Sequence, residues 1–142
     1  MQVKNFDILK EHKMSWNLSD LKTITAAHEN WVVGEEDNCL CITNEDGLDA
    51  YLAVSGDQII VESILFAKNQ VNDVAGLNEE ILSTHQIFPL TTVSTANIDG
   101  EDYYLAFGAL SSQSKEESIM IEITSLFNNV SGFLEAYEDY LK

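Results

Sequence analysis

Apolar residues recur along this chain first with a helical period, then with a strand period, and the two then alternate. A helix is followed by a four-stranded meander, a second helix, a two-stranded hairpin and a long last helix, at residues 19–29, 31–35, 39–43, 48–54, 58–66, 72–85, 91–98, 103–110 and from 114 onward. Strands joined by short polar turns pair antiparallel. The helix–meander–helix–hairpin–helix order therefore predicts an α+β fold with one antiparallel sheet.

Capping residues predict where the helices begin and end. Ser19 is a suitable N-cap for the first helix, and Ser114 lies three residues before a glutamate, which is the spacing of a capping box. Pro89, the only proline, prevents the second helix from continuing. Two alternatives stay open in the last helix: residues 128–132 are weak helix formers that would divide it, and residues 119–123 also fit a strand.

The length of 142 residues fits one domain. The stretch from Met14 onward has the character of a domain start, so we predict a single α+β domain over residues 14–142. We interpret residues 1–13 as an N-terminal extension. The sequence leaves open whether that extension belongs to the native protein.

The chain is strongly acidic, with 24 acidic against 7 basic residues and a formal net charge of −17. Nucleic acids and anionic membrane surfaces would repel it, whereas a basic protein segment would be attracted. Solubility alone also explains such a charge, and both interpretations stay open. No apolar run reaches the roughly 20 residues that span a bilayer, and residues 1–13 lack the apolar core of a secretory signal. We therefore expect no membrane insertion and a cytoplasmic location.

The sequence contains no recognisable catalytic or metal-binding pattern. His12, His28 and His85 are far apart, and the last two fall on helical stripes, where a structural histidine is the simpler interpretation. Cys39 and Cys41 share one face of a predicted strand but are poorly placed for a disulfide. We interpret them as small buried apolar residues. We predict neither a catalytic site nor a bound cofactor.

The two longest predicted strands, 58–66 and 103–110, carry apolar residues on both of their faces. A sheet with two apolar faces must be covered on both. Three helices either divide themselves between the faces or leave one face for a second subunit or a client, and the pattern leaves both arrangements open. The candidate partner or dimer surface consists of Ile60, Ile64, Phe66, Tyr104 and Leu110.

Five stretches are distinctive: Met-Ser-Trp-Asn-Leu at 14–18, residues 44–56, Phe-Pro-Leu-Thr-Thr-Val at 88–93, Asp-Gly-Glu-Asp-Tyr-Tyr at 99–104 and Phe-Gly-Ala-Leu-Ser at 107–111. Together they resemble the bacterial YjfI family, and the resemblance extends over nearly everything from Met14 onward. Genes of that family tend to neighbour those of phage-shock-type membrane-maintenance proteins, which implies a role in envelope stress. More distantly, the element order is similar to that of type III secretion chaperones. Those are small, acidic, usually dimeric proteins that bind extended client segments without ATP.

These observations favour a non-catalytic protein-binding module, chaperone-like or an escort for a protein partner, and a homodimer. The alternative is a regulatory accessory subunit of a bacterial envelope-stress or membrane-maintenance system, with a membrane-associated protein as its partner. An enzyme with an unfamiliar site is the third possibility, and a deep pocket that gathers acids with raised pKa values would support it.

Overall fold

The computed structural model describes residues 15–142, and the elements within them follow the predicted order. Its main elements are α1 (Leu18–Ala26), β1 (Val32–Glu36), β2 (Cys39–Thr43), β3 (Asp49–Ser55), β4 (Gln58–Ala67), α2 (Val74–Thr84), β5 (Thr92–Ile98), β6 (Glu101–Ser111) and α3 (Glu116–Ala136). The predicted extension over residues 1–13 and the predicted domain start at Met14 lie outside the described residues.

The six strands form one antiparallel sheet in the order β1-β2-β3-β4-β6-β5. Two-residue loops with positive φ at both positions, Asp37-Asn38 and Asp99-Gly100, close the β1–β2 and β5–β6 hairpins. The long strands β4 and β6 lie inside the sheet, and β1 and β5 form its two edges.

All three helices pack on the same face of the sheet. Leu21 of α1, Leu77 and Ile81 of α2, and six buried apolar residues of α3 join one core cluster with inward-facing strand residues such as Leu52 and Val61. The apolar residues that alternate with these on the strands do not belong to that cluster. The helices therefore leave the second face of the sheet uncovered within the described residues, and we call it the open face.

A β-bulge at Leu65 changes the face on which β4 ends. Ile64 pairs with Leu105, but the next paired residue is Phe66, opposite Tyr104. The extra residue reverses the alternation, because a one-residue shift moves every following side chain to the other face. The prediction that Phe66 shares a face with Ile60 and Ile64 is therefore wrong, and Phe66 packs in the core at 5.4 Å from the Tyr104 ring.

The predicted helix caps are also corrected. Asn17, not Ser19, is the N-cap of α1, and its side chain accepts a hydrogen bond from the Asp20 amide at 2.8 Å. The capping box predicted at Ser114 is absent, because α3 begins after Lys115 without a side-chain cap. Both alternatives for the last helix are excluded, since α3 is continuous through residues 119–123 and 128–132.

Candidate protein-binding surface

The open face is apolar along its centre and acidic around it. Its central side chains come from β3, β4 and β6: Tyr51, Ala53, Ile60, Ile64, Leu105, Phe107 and Ala109. Glu62 lies among them, and Glu36, Asp49 and Glu101 lie towards the margins. No lysine or histidine occurs among the strand residues on this face.

The strand register places Glu62 between two aromatic side chains. Tyr51 is its neighbour on β3 and Phe107 its neighbour on β6. Neighbouring strands lie about 4.8 Å apart, so these three side chains form a continuous row. The carboxylate of Glu62 is exposed, and it marks the centre of the open face with one negative charge.

Leu105 and Ile64 show how tightly the apolar centre is packed. Leu105 is only 5% exposed although it does not belong to the helix-side core cluster. Its paired neighbour Ile64 remains 45% exposed. The open face therefore contains both packed apolar side chains, such as Leu105, and accessible ones, such as Ile64. This combination is typical of a surface that another polypeptide can cover.

The structure divides the five predicted surface residues between the two faces. Ile60 and Ile64 lie on the open face. Phe66 and Tyr104 are buried beneath the helices, and Leu110 packs against the same core. Their position on the helix side corrects the prediction for three of the five residues. Whether the open face binds a partner stays a prediction.

The set of β6 residues that was predicted to face outward is the wrong one. Tyr103, Leu105 and Phe107 are on the open face, whereas Tyr104 and Leu110 are not. The alternation was visible in the sequence, but the bulge in β4 was not. The bulge affects only the pairing of Phe66 with Tyr104, whereas the regular register places Leu110 opposite the core residue Ile59. Because β6 carries apolar residues on both faces, its pattern alone does not determine which set faces outward.

Three side chains on the open face, Cys39, Tyr51 and Tyr103, have raised pKa values. Burial, followed by the neighbouring Cys41 and Glu62, raises the pKa of the Cys39 thiol. Burial also raises the pKa of Tyr51. The charge of Glu101 is the main cause of a raised pKa at Tyr103. A thiol with a raised pKa is a poor nucleophile, so Cys39 is not activated for covalent chemistry.

The remaining candidates for chemistry have structural roles. His85 Nε2 accepts a hydrogen bond from the Val93 amide at 3.1 Å, and His28 stacks on Trp31 with ring centroids 3.9 Å apart. Cys39 and Cys41 are free thiols that share the open face as predicted, but they are half-exposed and not buried. Residues 15–142 contain no group of three or more His, Cys, Asp and Glu side chains arranged to hold a metal ion.

Glu122 of α3 is a buried carboxyl group between the helix and the sheet. It is 8% exposed, its Oε2 atom has no hydrogen-bond partner, and burial raises its pKa. The carboxyl lies against Gly108 of β6, where a Cβ atom would be 2.8 Å from Glu122 Cδ. A side chain at position 108 would therefore clash with Glu122. Glu122 lies in the core layer and not in an open cleft.

The two edges of the sheet differ in charge. The β1 edge carries Glu35 and Glu36, and Glu35 pairs with Lys22 at 3.5 Å. The β5 edge has no charged residue and no proline over its seven residues. Uncharged edges accept added strands readily. A groove of about 300 Å³ runs beside β5, between it and α2, with Leu82 strongly exposed at its rim.

No helix within residues 15–142 is both long enough and apolar enough to cross a membrane.

Three solved structures share this fold. YbjN from E. coli, whose description proposes a transcription regulator, matches with a TM-score of 0.70 at 16% identity, over 89% of this chain and 96% of that one. A chain of the HopA1–SchA chaperone–effector complex matches with a TM-score of 0.60 at 12% identity, over 81% and 90%. A chain of the ExsC–ExsE complex matches with a TM-score of 0.56 at 10% identity, over 89% and 97%. The predicted chaperone-like α+β fold is thus confirmed.

Sequence comparison confirms the predicted resemblance to YjfI. The chain is 31% identical over 131 residues to "Uncharacterized protein YjfI" of Escherichia coli strain K12, which covers 89% of this chain and 98% of that protein. YjfI of Escherichia coli O157:H7 matches to the same extent. Residues 9–141 match the family described as "Uncharacterized protein conserved in bacteria (DUF2170)". The chain therefore belongs to the DUF2170 family.

Proposed function

We propose that this protein is a non-catalytic, chaperone-like binding module that holds or escorts a protein partner on the open face of its sheet. The main support for this proposal is the position of the three helices, which leaves the apolar centre around Ile60, Ile64 and Phe107 uncovered within the described residues. The structural similarity to a chaperone bound to its effector supports the same proposal.

The chemistry of the open face defines the partner. An apolar centre favours a segment with apolar side chains on one side, and the acids around it favour lysine or arginine next to them. The chain as a whole, with a net charge of −17, attracts the same kind of segment over a longer range. The proposed ligand is therefore an amphipathic, basic segment of another protein.

A second copy of this chain is a poor occupant of the open face. In a two-fold contact through its centre, each Glu62 would approach the Glu62 of the other copy, and neither face supplies a cation. Like charges that meet in this way are destabilising. We place the proposed homodimer contact instead at the strongly exposed apolar residues beside the β5 edge, namely Leu82, Ile87 and Leu90.

Strand addition at the β5 edge is the competing binding mode. An extended client would use the free backbone groups of β5 and place alternate side chains in the groove beside α2. The two modes predict different sensitive residues, since Ile60 and Ile64 belong to the open face and Leu82 to the groove.

Affinity capture with matched variants tests the proposal. The tagged protein is used to capture its partner from the native host, alongside the double variant Ile60→Gln, Ile64→Gln and the control Ile121→Gln, which changes an exposed apolar residue of α3. We expect one stoichiometric protein with the wild type and the control, and its loss with the double variant. Equal recovery with all three would refute the open face as the site. Leu82→Gln is captured in parallel, and loss of the partner with this variant alone would favour the β5 edge.

The second candidate function is that of a regulatory accessory subunit of an envelope-stress or membrane-maintenance system, with a membrane-associated partner and a cytoplasmic location. The excess of acidic residues favours this candidate, because the described residues contain a single salt bridge, Lys22–Glu35, and leave most carboxylates free for a basic partner. Repeating the capture at about 50 and 300 mM salt distinguishes the two functions. A steep loss of the partner indicates contact through charge alone, whereas retention indicates the apolar face.

A further inference from the structure

The two cysteines of the chain, Cys39 and Cys41, lie next to each other on the open face. They occupy alternate positions of β2, and both are free and half-exposed. Cys39 Sγ donates a weak hydrogen bond to Leu40 O at 3.6 Å, so this sulfur leans along the strand in the direction of Cys41. The charge of Cys41 acts on Cys39, which shows that the two thiols lie within interaction distance. The two sulfurs are therefore placed to bind one ligand together.

The spacing of the two residues is poor for a disulfide but suits an ion held between the sulfurs. Alternate residues of a strand are about 6.7 Å apart and their side chains point the same way. The Cβ atoms thus stay well beyond the separation of about 3.8 Å that a disulfide needs. An ion between two thiolates holds the sulfurs roughly 4.5 Å apart, since metal–thiolate bonds are about 2.3 Å long. Rotation of the two side chains covers that smaller difference without movement of the backbone.

The surroundings of the thiols limit such a site to two protein ligands. Residues 15–142 place no third His, Cys, Asp or Glu side chain in position to share a metal ion with this pair. Gly34 is the neighbour of Cys41 on β1, and a Cβ atom there would meet no atom within 4 Å, so an ion can approach from that side. Zinc sites use three or four protein ligands, and calcium and magnesium prefer oxygen. Copper(I) is a soft ion that prefers thiolates, and two of them in a linear arrangement complete its coordination.

Negative charge around the thiols also favours a cation. Glu36 is the neighbour of Cys39 on β1. Burial, and after it the charges of Cys41 and Glu62, raises the pKa of Cys39. The thiol therefore holds its proton firmly, and a soft cation that takes the place of the proton relieves the same repulsion.

We propose that Cys39 and Cys41 form a two-coordinate copper(I) site on the open face. On binding, the two thiols release their protons to solvent and form two copper–sulfur bonds. Copper remains copper(I), so no oxidant or reductant takes part, and the loaded site carries one negative charge. The site is independent of the proposed partner, because it requires only the two thiols.

Competition with a coloured copper(I) chelator tests the site. The full chain is titrated, without oxygen and with a thiol-free reductant, into the copper(I) complex of bicinchoninate, whose colour fades as the protein removes the ion. We expect one copper(I) per chain in the wild type. The single variants Cys39→Ser and Cys41→Ser should each lose affinity by about a hundredfold or more, because a lone thiolate lacks the advantage of a second, linked ligand. X-ray absorption of the loaded wild type should show two sulfur ligands.

Two control variants keep the number of thiols at two. Thr43 is the next residue of β2 on the same face. Cys39→Ser combined with Thr43→Cys therefore restores an adjacent pair and should recover most of the affinity. Ser83 is exposed on α2, on the helix side of the sheet. Cys39→Ser combined with Ser83→Cys separates the two thiols and should bind copper(I) as weakly as Cys39→Ser alone.

Other outcomes overturn the proposal. Equal affinity in the wild type and both single variants would show that copper(I) binds elsewhere on the chain. Tight binding by the combination with Ser83→Cys, or weak binding by the combination with Thr43→Cys, would show that adjacency on one face is not what holds the ion. One copper(I) per two chains, with dimers in light scattering, would show that the ion links single thiols of two copies.

Discussion

Replacement of the buried carboxyl group at Glu122 should stabilise the protein. Its Oε2 atom has no hydrogen-bond partner, and the residue is 8% exposed. An unsatisfied buried polar group costs about 1–3 kcal/mol, and a charged one costs more. Methionine has a similar length and helix propensity and adapts its shape. We therefore expect Glu122→Met to raise the free energy of unfolding at neutral pH by roughly 1–3 kcal/mol and Tm by roughly 3–10 °C.

The sign of the pH dependence follows from the direction of the pKa shift. Burial raises the pKa of Glu122 in the folded state, so the folded protein binds this proton more tightly than the unfolded chain does. The contribution of Glu122 to stability is therefore most favourable below the unfolded-state pKa of about 4.3. It declines as the pH rises through the raised, folded-state pKa. The advantage of Glu122→Met should accordingly be small at low pH and larger at neutral pH.

Urea unfolding followed by tryptophan fluorescence measures this effect at about pH 5 and pH 7.5. Glu117→Met is the matched control, because Glu117 is exposed in the first turn of the same helix. Its loss removes a favourable interaction with the helix dipole, so it should destabilise slightly, by about 0.3–1 kcal/mol. A destabilising Glu122→Met, or a gain that does not change with pH, would mean that the carboxyl group is solvated or paired in solution.

Two further substitutions test the packing beside α2 and α3. Gly132→Ala should destabilise the protein by roughly 1–3 kcal/mol, although alanine is the better helix former, because the added Cβ would lie 2.7 Å from Cε1 of the partly buried Phe88 ring. Thermal unfolding measures this, and a Tm above that of the wild type would show that Phe88 moves aside at no cost. Leu82→Gln changes a side chain that is 76% exposed, and it should convert the proposed dimer to monomer in light scattering without lowering Tm by more than a few degrees. An unchanged mass would place the dimer contact elsewhere.

The sequence predicted the elements and their order because periodicity and turns are local signals. The β2 strand was predicted at its observed bounds, Cys39–Thr43. The bulge at Leu65 was not predictable in this way, since it depends on how β4 pairs with a strand some forty residues later in the chain. That one residue accounts for the misplacement of Phe66. The wrong set was chosen on β6 because that strand is apolar on both faces, so its alternation does not show which face is covered.

Residues 128–132 show the same limit in a helix. Their low helix propensity predicted a possible break, yet α3 passes through them. Asn129 donates to Pro89 O at 2.8 Å and to Thr91 Oγ1 at 2.7 Å. Gly132 leaves room for the Phe88 ring, which also packs 4.3 Å from the Phe133 ring. Residues that are weak helix formers therefore dock the segment between α2 and β5, and tertiary contacts outweigh their local preference.

The acidity of the chain and the open face have a common physical consequence. An uncovered apolar face promotes self-association, and edge or face contacts between copies are the usual result. Here the net charge of −17 repels other copies over the screening length, and Glu62 places a like charge at the centre of any two-fold contact. On the open face, both features act against a second copy and in favour of a basic segment. If the proposed function holds, the negative charge contributes more than solubility, because it selects which polypeptide can cover the apolar centre.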